Sequence, residues 1–372
     1  MKVLQTVKFY EPSKGGMESV VKNIVEGVIS LSDNHLFTVY ANSHFSNIKR
    51  EYLDIKQLKS IKERTPFLLR SQPLSIRYSQ LRKLLTETDI LHHHYPFPNM
   101  ELALLRNLDI LKNKKLIITW HANIKNSRWS WIGKYYNPII RKLLDLADCI
   151  IVTSPQLLSS SDILQDYVEK VKVIPLSYNA NIIKGAGRAR KFPENRPFRL
   201  LFVGKLRSYK GLGFLINAIK DVNVNLKIIG DGEEEQNLKI LVKELGIEKR
   251  VAFLKGLNND ELALNYQESD LFILPSINEA EAFGVVQLEG MSNGLPVINT
   301  NLDSGVPFVS LQGITGLTVE PKSIGELKSA ILEIINNKVL YEEFSQNCIQ
   351  RAKEFTTEKM ASSYLNLYNS LQ

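Results

Sequence analysis

Short apolar runs rich in Val, Ile and Leu recur along this chain with helix-patterned stretches between them, and this alternation restricts the fold more than any other feature. The runs occupy residues 3–7, 36–41, 90–94, 116–120, 150–154 and 171–176, then 200–203, 226–229, 251–254, 271–274 and 297–300. Short continuous runs of this kind, alternating with helices, are what buried parallel strands with crossover helices require. The class is therefore α/β and doubly wound. With 372 residues, 44% of them apolar and 23% charged, the chain has material for two such domains, each with its own core.

A polar gap at residues 177–197, containing Lys184, Gly185, Gly187, Arg188, Arg190, Lys191, Pro193 and Pro197, interrupts the rhythm and reads as an interdomain linker. The two halves echo each other. The first run passes through Lys14-Gly15-Gly16 into a helix near residues 19–28, and the run at 200–203 passes through Lys210-Gly211 into a helix at 212–219. The pattern predicts a Rossmann-like domain over residues 1–177, a linker over 178–197 and a second Rossmann-like domain over 198–355. Near the end, Met360, Tyr364, Leu367, Tyr368 and Leu371 recur at helical spacing and predict a helix over about 356–372 that packs on the first domain.

Cys149 and Cys348 are the only cysteines, which gives no disulfide framework and no cysteine-based zinc spacing. No stretch of about 20 apolar residues occurs, and the apolar run after Met1 is too short for a signal-peptide core. The expected location is the cytoplasm. The charge is uneven, with 28 Lys and Arg against 16 Asp and Glu in residues 1–190, but 19 against 23 in residues 191–372. Such asymmetry suggests a polyanion facing the first half, with chance drift of a solvated surface as the alternative.

The segment Glu279-Ala280-Glu281-Ala282-Phe283-Gly284-Val285-Val286-Gln287-Leu288-Glu289 follows the run at 271–274 and its terminating Pro275-Ser276. A helix beginning near Gly284 aims unpaired N–H groups and a positive dipole end at the sheet's carboxyl edge, where α/β folds bind phosphates. Glu289 lies five residues beyond Gly284, about 7.5 Å along the helix axis, while Glu281 precedes it, so the two carboxylates address different parts of an elongated ligand. Taken alone, the segment admits a second reading in which both are surface or capping carboxylates.

Five motifs in order give the chain a resemblance to the retaining glycosyltransferases of family 4. They are Lys14-Gly15-Gly16 followed by Met17-Glu18; Thr119-Trp120-His121; Val203-Gly204-Lys205 with Lys210-Gly211; Gly230-Asp231-Gly232; and Glu281 with Glu289, seven residues between them. Residues 90–96 and 305–310 look most like bacterial enzymes that build cell-surface polysaccharides. The resemblance implies the GT-B fold, two Rossmann-like domains facing across a cleft, the first on the acceptor side and the second binding the donor. It also implies a hexose, mannose or similar, moved from a nucleotide-sugar donor to a lipid-linked oligosaccharide in polysaccharide, O-antigen or capsule synthesis.

Residue by residue, the resemblance puts Glu281 on the transferred sugar's hydroxyls and Glu289 on the nucleotide's ribose. Lys210 binds the pyrophosphate, with Lys205 where the family more often has Arg, a substitution of a point charge for a planar fork. Amides near Phe283 and Gly284 assist, and Gly15 and Gly16 approach the reacting groups with their backbone. His121 stands beside the donor sugar. The base is expected between the loop at Gly230 and the loop near Leu257. These cations and a helix N-terminus can stabilise a leaving diphosphate without a metal, and no Asp-x-Asp pair ends a strand. No cofactor is therefore expected.

His92, His93 and His94 offer two same-face imidazoles, too few for a metal site. His94, at the strand end, is expected on the acceptor side. Lys49, Arg50, Lys56, Lys59, Lys62, Arg64, Arg70, Arg77, Arg82 and Lys83 surround Phe67, Leu68, Leu69 and Leu74, a mixture suited to peripheral docking on an anionic membrane, here the inner face of the cytoplasmic membrane. Nucleic acid is the alternative polyanion, but no nucleic-acid-binding module is evident. Rival readings of the whole chain are a GT-B phosphorylase or epimerase and a non-catalytic nucleotide-sugar or nucleic-acid binding protein.

Overall fold

The computed structural model describes residues 1–13, 15–43, 50–65, 67–69, 72–74, 78–123, 133–178 and 187–372. The chain divides into two compact units, Met1–Leu176 with Thr357–Gln372, and Ser177–Thr356.

In unit 1 the strands are β1 (Lys2–Phe9), β2 (Leu36–Asn42), β3 (Arg50–Ile55), β4 (Leu58–Glu63), β5 (Phe67–Leu69), β6 (Gln72–Leu74), β7 (Ile90–Tyr95), β8 (Lys115–Trp120), β9 (Cys149–Val152) and β10 (Val171–Val173). Its main sheet runs β10-β9-β8-β7-β1-β2-β4-β3, and β5 and β6 pair separately. Every pairing in the main sheet is parallel except that of β3 with β4. Unit 2 contains β11 (Phe198–Val203), β12 (Val224–Ile229), β13 (Val251–Leu254), β14 (Leu271–Leu274), β15 (Val297–Thr300) and β16 (Gly316–Val319). These form one wholly parallel sheet in the order β13-β12-β11-β14-β15-β16, the strand order of a Rossmann fold. β7, β9, β14 and β15 are buried at every residue, which explains the unbroken apolar runs of β9 and β14 and requires partners for the histidines of β7 and for Asn299 and Thr300 of β15.

The departures from the sequence reading have local causes. The run at 150–154 stops pairing at Val152 because Ser154 turns to cap the Pro155–Ser159 helix, its hydroxyl accepting from Leu157 N at 3.2 Å. β3, at the sheet edge, and β4 beside it each carry three charged residues, and β16 has only four residues, so none of the three shows the buried-strand signature. Residues 187–197, expected as linker, pack into unit 2. The Arg190 guanidinium donates to the carbonyls of Tyr266, Gln267 and Asn293 at 3.2, 2.7 and 2.8 Å, satisfying the carboxyl ends of two helices. Arg196 grips Asp270 with two bonds of 2.6 and 2.8 Å. The remainder of the expected linker, 179–186, lies outside the described residues.

The last helix, Thr357–Ser370, belongs to unit 1 and buries Met360, Ala361, Tyr364, Leu367 and Tyr368. It lies against the Gly16–Leu31 helix, whose apolar stripe is Val20, Val21, Ile24, Val25 and Val28. The two come so close that a Cβ on Gly27 would stand 2.7 Å from that of Ala361.

Candidate active site

Open parallel sheets bind ligands beyond the carboxyl ends of their strands, where the strand order reverses. In unit 2 the reversal falls between β11 and β14. The loop after β11 carries Lys210 and the loop after β14 carries Ser276 and Glu281, so two segments 71 residues apart meet at one point. There Lys210 Nζ donates to Glu281 Oε2, which also accepts from Ser276 Oγ at 3.0 Å. All three residues are buried. Burial by itself lowers the Lys210 ammonium, but the charge of Glu281, Tyr209 and the hydrogen bond together outweigh it and hold the pKa above its ordinary value. A buried Lys210–Glu281 pair thus stands at the binding edge of the sheet.

Two glycines shape this edge. Gly211 has φ 69°, and a Cβ there would fall 2.0 Å from the carbonyl oxygen of Pro275, so the Lys210 loop and the Glu281 loop touch backbone to backbone. Gly230, with φ 147°, would place a Cβ 1.9 Å from the Gly204 carbonyl oxygen, which locks the loops after β11 and β12 together in the same way. Gly284 caps the Val285–Ser292 helix, its carbonyl accepting from Gln287 N at 2.9 Å and the Val285 and Val286 amides preceding the intrahelical ladder, as at any helix start.

The other expected residues separate into distinct groups. Lys205 does not join Lys210: it is exposed and pairs with Asp231 at 2.5 Å. The Phe283 side chain is buried against Phe308 and Phe355, so only its backbone is available to a ligand. Leu257 is half-buried just before Asn258, which caps the Asn259–Glu268 helix. Glu289 faces inward and accepts from the Tyr266 hydroxyl at 2.7 Å. Burial pushes its carboxyl up to about 7, and the Tyr266 hydrogen bond offsets only part of this. The folded chain therefore retains a proton that the unfolded chain gives up from pH 4.5. This group's contribution to stability falls as pH rises from there to about 7, and is level above.

In unit 1 the strand order reverses between β1 and β7, and the expected residues there are joined by hydrogen bonds. His121 follows β8 and is half-buried. Its Nε2 meets His94 Nδ1 at 2.9 Å, and His94 Nε2 meets Gln5 Oε1 at 2.8 Å. His94 is fully buried with both nitrogens engaged. His94, expected on the acceptor side, therefore has His121 and Gln5 as its ring partners. His92, on the same face, bonds Tyr368 and Thr119 at 2.8 and 2.6 Å, whereas His93, on the other face, bonds Thr6 and Glu101 at 2.8 and 3.2 Å. Among the described residues, no group of three or more His, Cys, Asp and Glu could hold a metal ion.

Gly15 caps the Gly16–Leu31 helix in an extended conformation, and a side chain at Gly16 would meet nothing within 4 Å. Lys14 lies outside the described residues. Sequence reading missed Ser276, Tyr266, Gln5, Thr119 and Tyr368 as partners. Ser276 had a signal in its place at a strand end beside the glutamate segment, and Thr119 and Tyr368 stood in recognised patterns that did not reveal their partners.

The chain is matched by known proteins in sequence and in fold. Residues 186–355 fit the family model described as Glycosyl transferases group 1, and residues 14–181 that described as Glycosyltransferase Family 4. The O-antigen chain mannosyltransferase C of Escherichia coli is 28% identical over 379 residues, covering 100% of this chain and 99% of that protein. The D-rhamnosyltransferase WbpZ of Pseudomonas aeruginosa is 31% identical over 370 residues, with 96% and 92% covered. The crystal structure of Anabaena HepE in complex with UDP-glucose superimposes with a TM-score of 0.71 at 20% identity over 100% of both chains. Fold and sequence together define a glycosyltransferase of the GT-B class. The chain belongs to glycosyltransferase family 4.

Proposed function

We propose that this enzyme moves a hexose of the manno series, with retention, from a nucleotide-sugar to a lipid-linked glycan in the synthesis of an O-antigen, capsule or related surface polysaccharide. Relatives named as a mannosyltransferase and a D-rhamnosyltransferase support the sugar and the pathway class, and HepE with bound UDP-glucose supports a nucleotide-sugar donor. The observation that carries the reading is the buried Lys210–Glu281 pair at the reversal point of the unit 2 sheet.

A departing nucleoside diphosphate gains negative charge as the bond from its oxygen to the anomeric carbon breaks. Lys210 and the amides at the Gly284 helix start are placed to meet that charge, with exposed Lys205 contributing after release from Asp231. Glu281 accepts from sugar hydroxyls and Glu289 from the ribose. No side chain is assigned as a covalent nucleophile: the acceptor oxygen attacks on the face the leaving group vacates and passes its proton to the departing phosphate oxygen. His121 contacts the transferred sugar. Charge stabilisation by these groups makes a metal unnecessary.

A thermal-shift comparison of GDP-, UDP-, dTDP- and ADP-sugars, with magnesium or with chelator, tests this directly. One nucleotide is expected to raise the transition equally in both conditions, since a ligand bound only by the folded state stabilises it. A shift seen only with magnesium would overturn metal independence. Donor affinity is also expected to strengthen as pH rises through about 7, because only ionised Glu289 accepts both ribose hydrogen bonds. Titration calorimetry between about pH 6 and about 8 should show that step in the native enzyme and not in Glu289→Gln.

The excess of cations in residues 1–190 supports docking of unit 1 on an anionic membrane. Among the described members of that basic region, Arg82 is bridged to Asp109 and Lys83 lies near Glu87, while Lys56, Lys59 and Arg64 are exposed. Lys49, Arg70 and Arg77 lie outside the described residues. No described helix is long and apolar enough to cross a membrane. Flotation with anionic vesicles at low salt is expected to carry the protein upward, and its absence would refute docking.

A further inference from the structure

Three histidines of unit 1, His92, His94 and His121, belong to one continuous hydrogen-bonded chain, of which the proposed transfer reaction uses His121 alone. From the open end it runs His121, His94, Gln5, Tyr368, His92 and Thr119, with separations of 2.9, 2.8, 2.9, 2.8 and 2.6 Å. The residues come from β1, β7, β8 and the last helix, Thr357–Ser370, whose Tyr368 closes the chain over the face that Gln5, His92 and His94 share. The rings also stack, with centroids 4.5 Å apart for His92 and His94 and 5.2 Å for His94 and His121.

All three rings are neutral, for burial, reinforced by the neighbouring imidazoles, holds His92 and His94 well below the ordinary value and His121 at about 3. A neutral imidazole has one nitrogen that donates and one that accepts, so a single fixed proton dictates all the others in such a chain. The fixed element is the Gln5 amide. Its Nε2 donates to the Tyr368 hydroxyl, and its Oε1, which can only accept, faces His94 Nε2. The proton between them therefore belongs to His94 Nε2. His94 Nδ1 is then an acceptor, and the proton shared with His121 belongs to His121 Nε2. What remains on His121 is Nδ1, with its lone pair free and no partner among the described residues.

We propose that Gln5 is a positioning residue for His121: through His94 it fixes the tautomer in which His121 Nδ1 accepts a hydrogen bond from a hydroxyl of the transferred sugar. This rests on the proposed role of His121 at that sugar. Reversal of the Gln5 amide would reverse every proton in the chain and turn Nδ1 into a donor. In the observed orientation Tyr368 accepts from the amide, which gives the C-terminal helix a part in setting the chemistry of the site. The consequence for specificity is preference for a hydroxyl over a group that only accepts.

The test is two-dimensional nitrogen-15 NMR of the ligand-free, histidine-labelled enzyme, with His121 assigned by its loss in His121→Ala. The native enzyme should show His121 Nδ1 as an unprotonated, pyridine-type nitrogen. Tyr368→Phe removes one hydroxyl, and Gln5→Leu removes the amide; both should convert His121 to a mixture of tautomers, with circular dichroism confirming the fold. A protonated Nδ1 in the native enzyme would overturn the proposal, as would an unchanged His121 pattern in folded Tyr368→Phe. Donor addition then tests the underlying role separately: the Nδ1 resonance should move on binding, and Tyr368→Phe should raise the donor KM about five-fold with kcat nearly unchanged, the scale of one neutral hydrogen bond. A correct tautomer that ignores the donor would leave the relay standing and refute only the placement of His121 at the sugar.

Discussion

Replacement of Lys210 and Glu281 together by methionine is expected to leave a folded enzyme with turnover lowered by about 10³-fold or more. The two charges form a buried ion pair, with side-chain exposures of 8% and 10%. Exchange of both members of such a pair for apolar groups of similar volume is commonly neutral or stabilising by about 1–4 kcal/mol, because two desolvation costs vanish with one attraction. Loss of one partner is different. Glu281→Ala strands a buried ammonium, and Lys210→Ala strands a carboxylate held only by Ser276, so each single variant should lose about 3–5 kcal/mol of stability besides its activity. Glu281→Gln keeps an oxygen for Lys210 and Ser276 and is the variant in which turnover can be read with the least structural disturbance. The pattern to look for is a double variant that melts no lower than the native enzyme and yet fails in single-turnover transfer. Near-normal transfer by the double variant would remove both residues from the reaction. A double variant that is less stable than either single one would instead assign the pair a structural task.

The second large effect is expected from a single methyl group at Gly211. At φ 69° a side chain is strained, and the added Cβ would sit 2.0 Å from the Pro275 carbonyl oxygen, which is backbone and has nowhere to retreat. Gly211→Ala should cost at least about 3 kcal/mol, the sum expected for left-handed strain and an unrelieved clash. The damage should be local in its chemistry as well. Lys210 is the preceding residue and Pro275 begins the loop to Glu281, so separation of the two loops pulls the ion pair apart. Thermal melting and donor titration of Gly211→Ala should therefore fall together. As a control, Gly213→Ala lies on the next turn, where the nearest neighbour to a new Cβ is a Leu241 methyl at 3.9 Å, and should leave both nearly unchanged.

Much of this protein was legible without a structure. The α/β class followed from short apolar runs, since a strand buried on both faces is mostly apolar, as β9 and β14 are throughout and β15 is in its first half. The GT-B fold and the family followed from five motifs in order. Glu281 and Gly284 could be singled out from their segment at a strand end, whereas Lys210 and Gly230 were named through the family resemblance. The helix at Thr357–Ser370 was also visible, through its spacing of apolar residues.

What tertiary structure alone decided is which of these residues meet. Lys205 and Lys210 stand five positions apart and look equivalent in sequence, yet one is exposed against Asp231 and the other is buried against Glu281. That difference depends on the position of β14 beside β11, a pairing between segments about 70 residues apart. Likewise, nothing in the run from His92 to His94 reveals that Gln5 and Tyr368, 363 residues apart, close a hydrogen-bonded chain behind His121. Local sequence sets which backbone each segment prefers and which face it must bury. The partners of a buried polar side chain are set by strand order and helix docking, and these come from the packing of the whole chain.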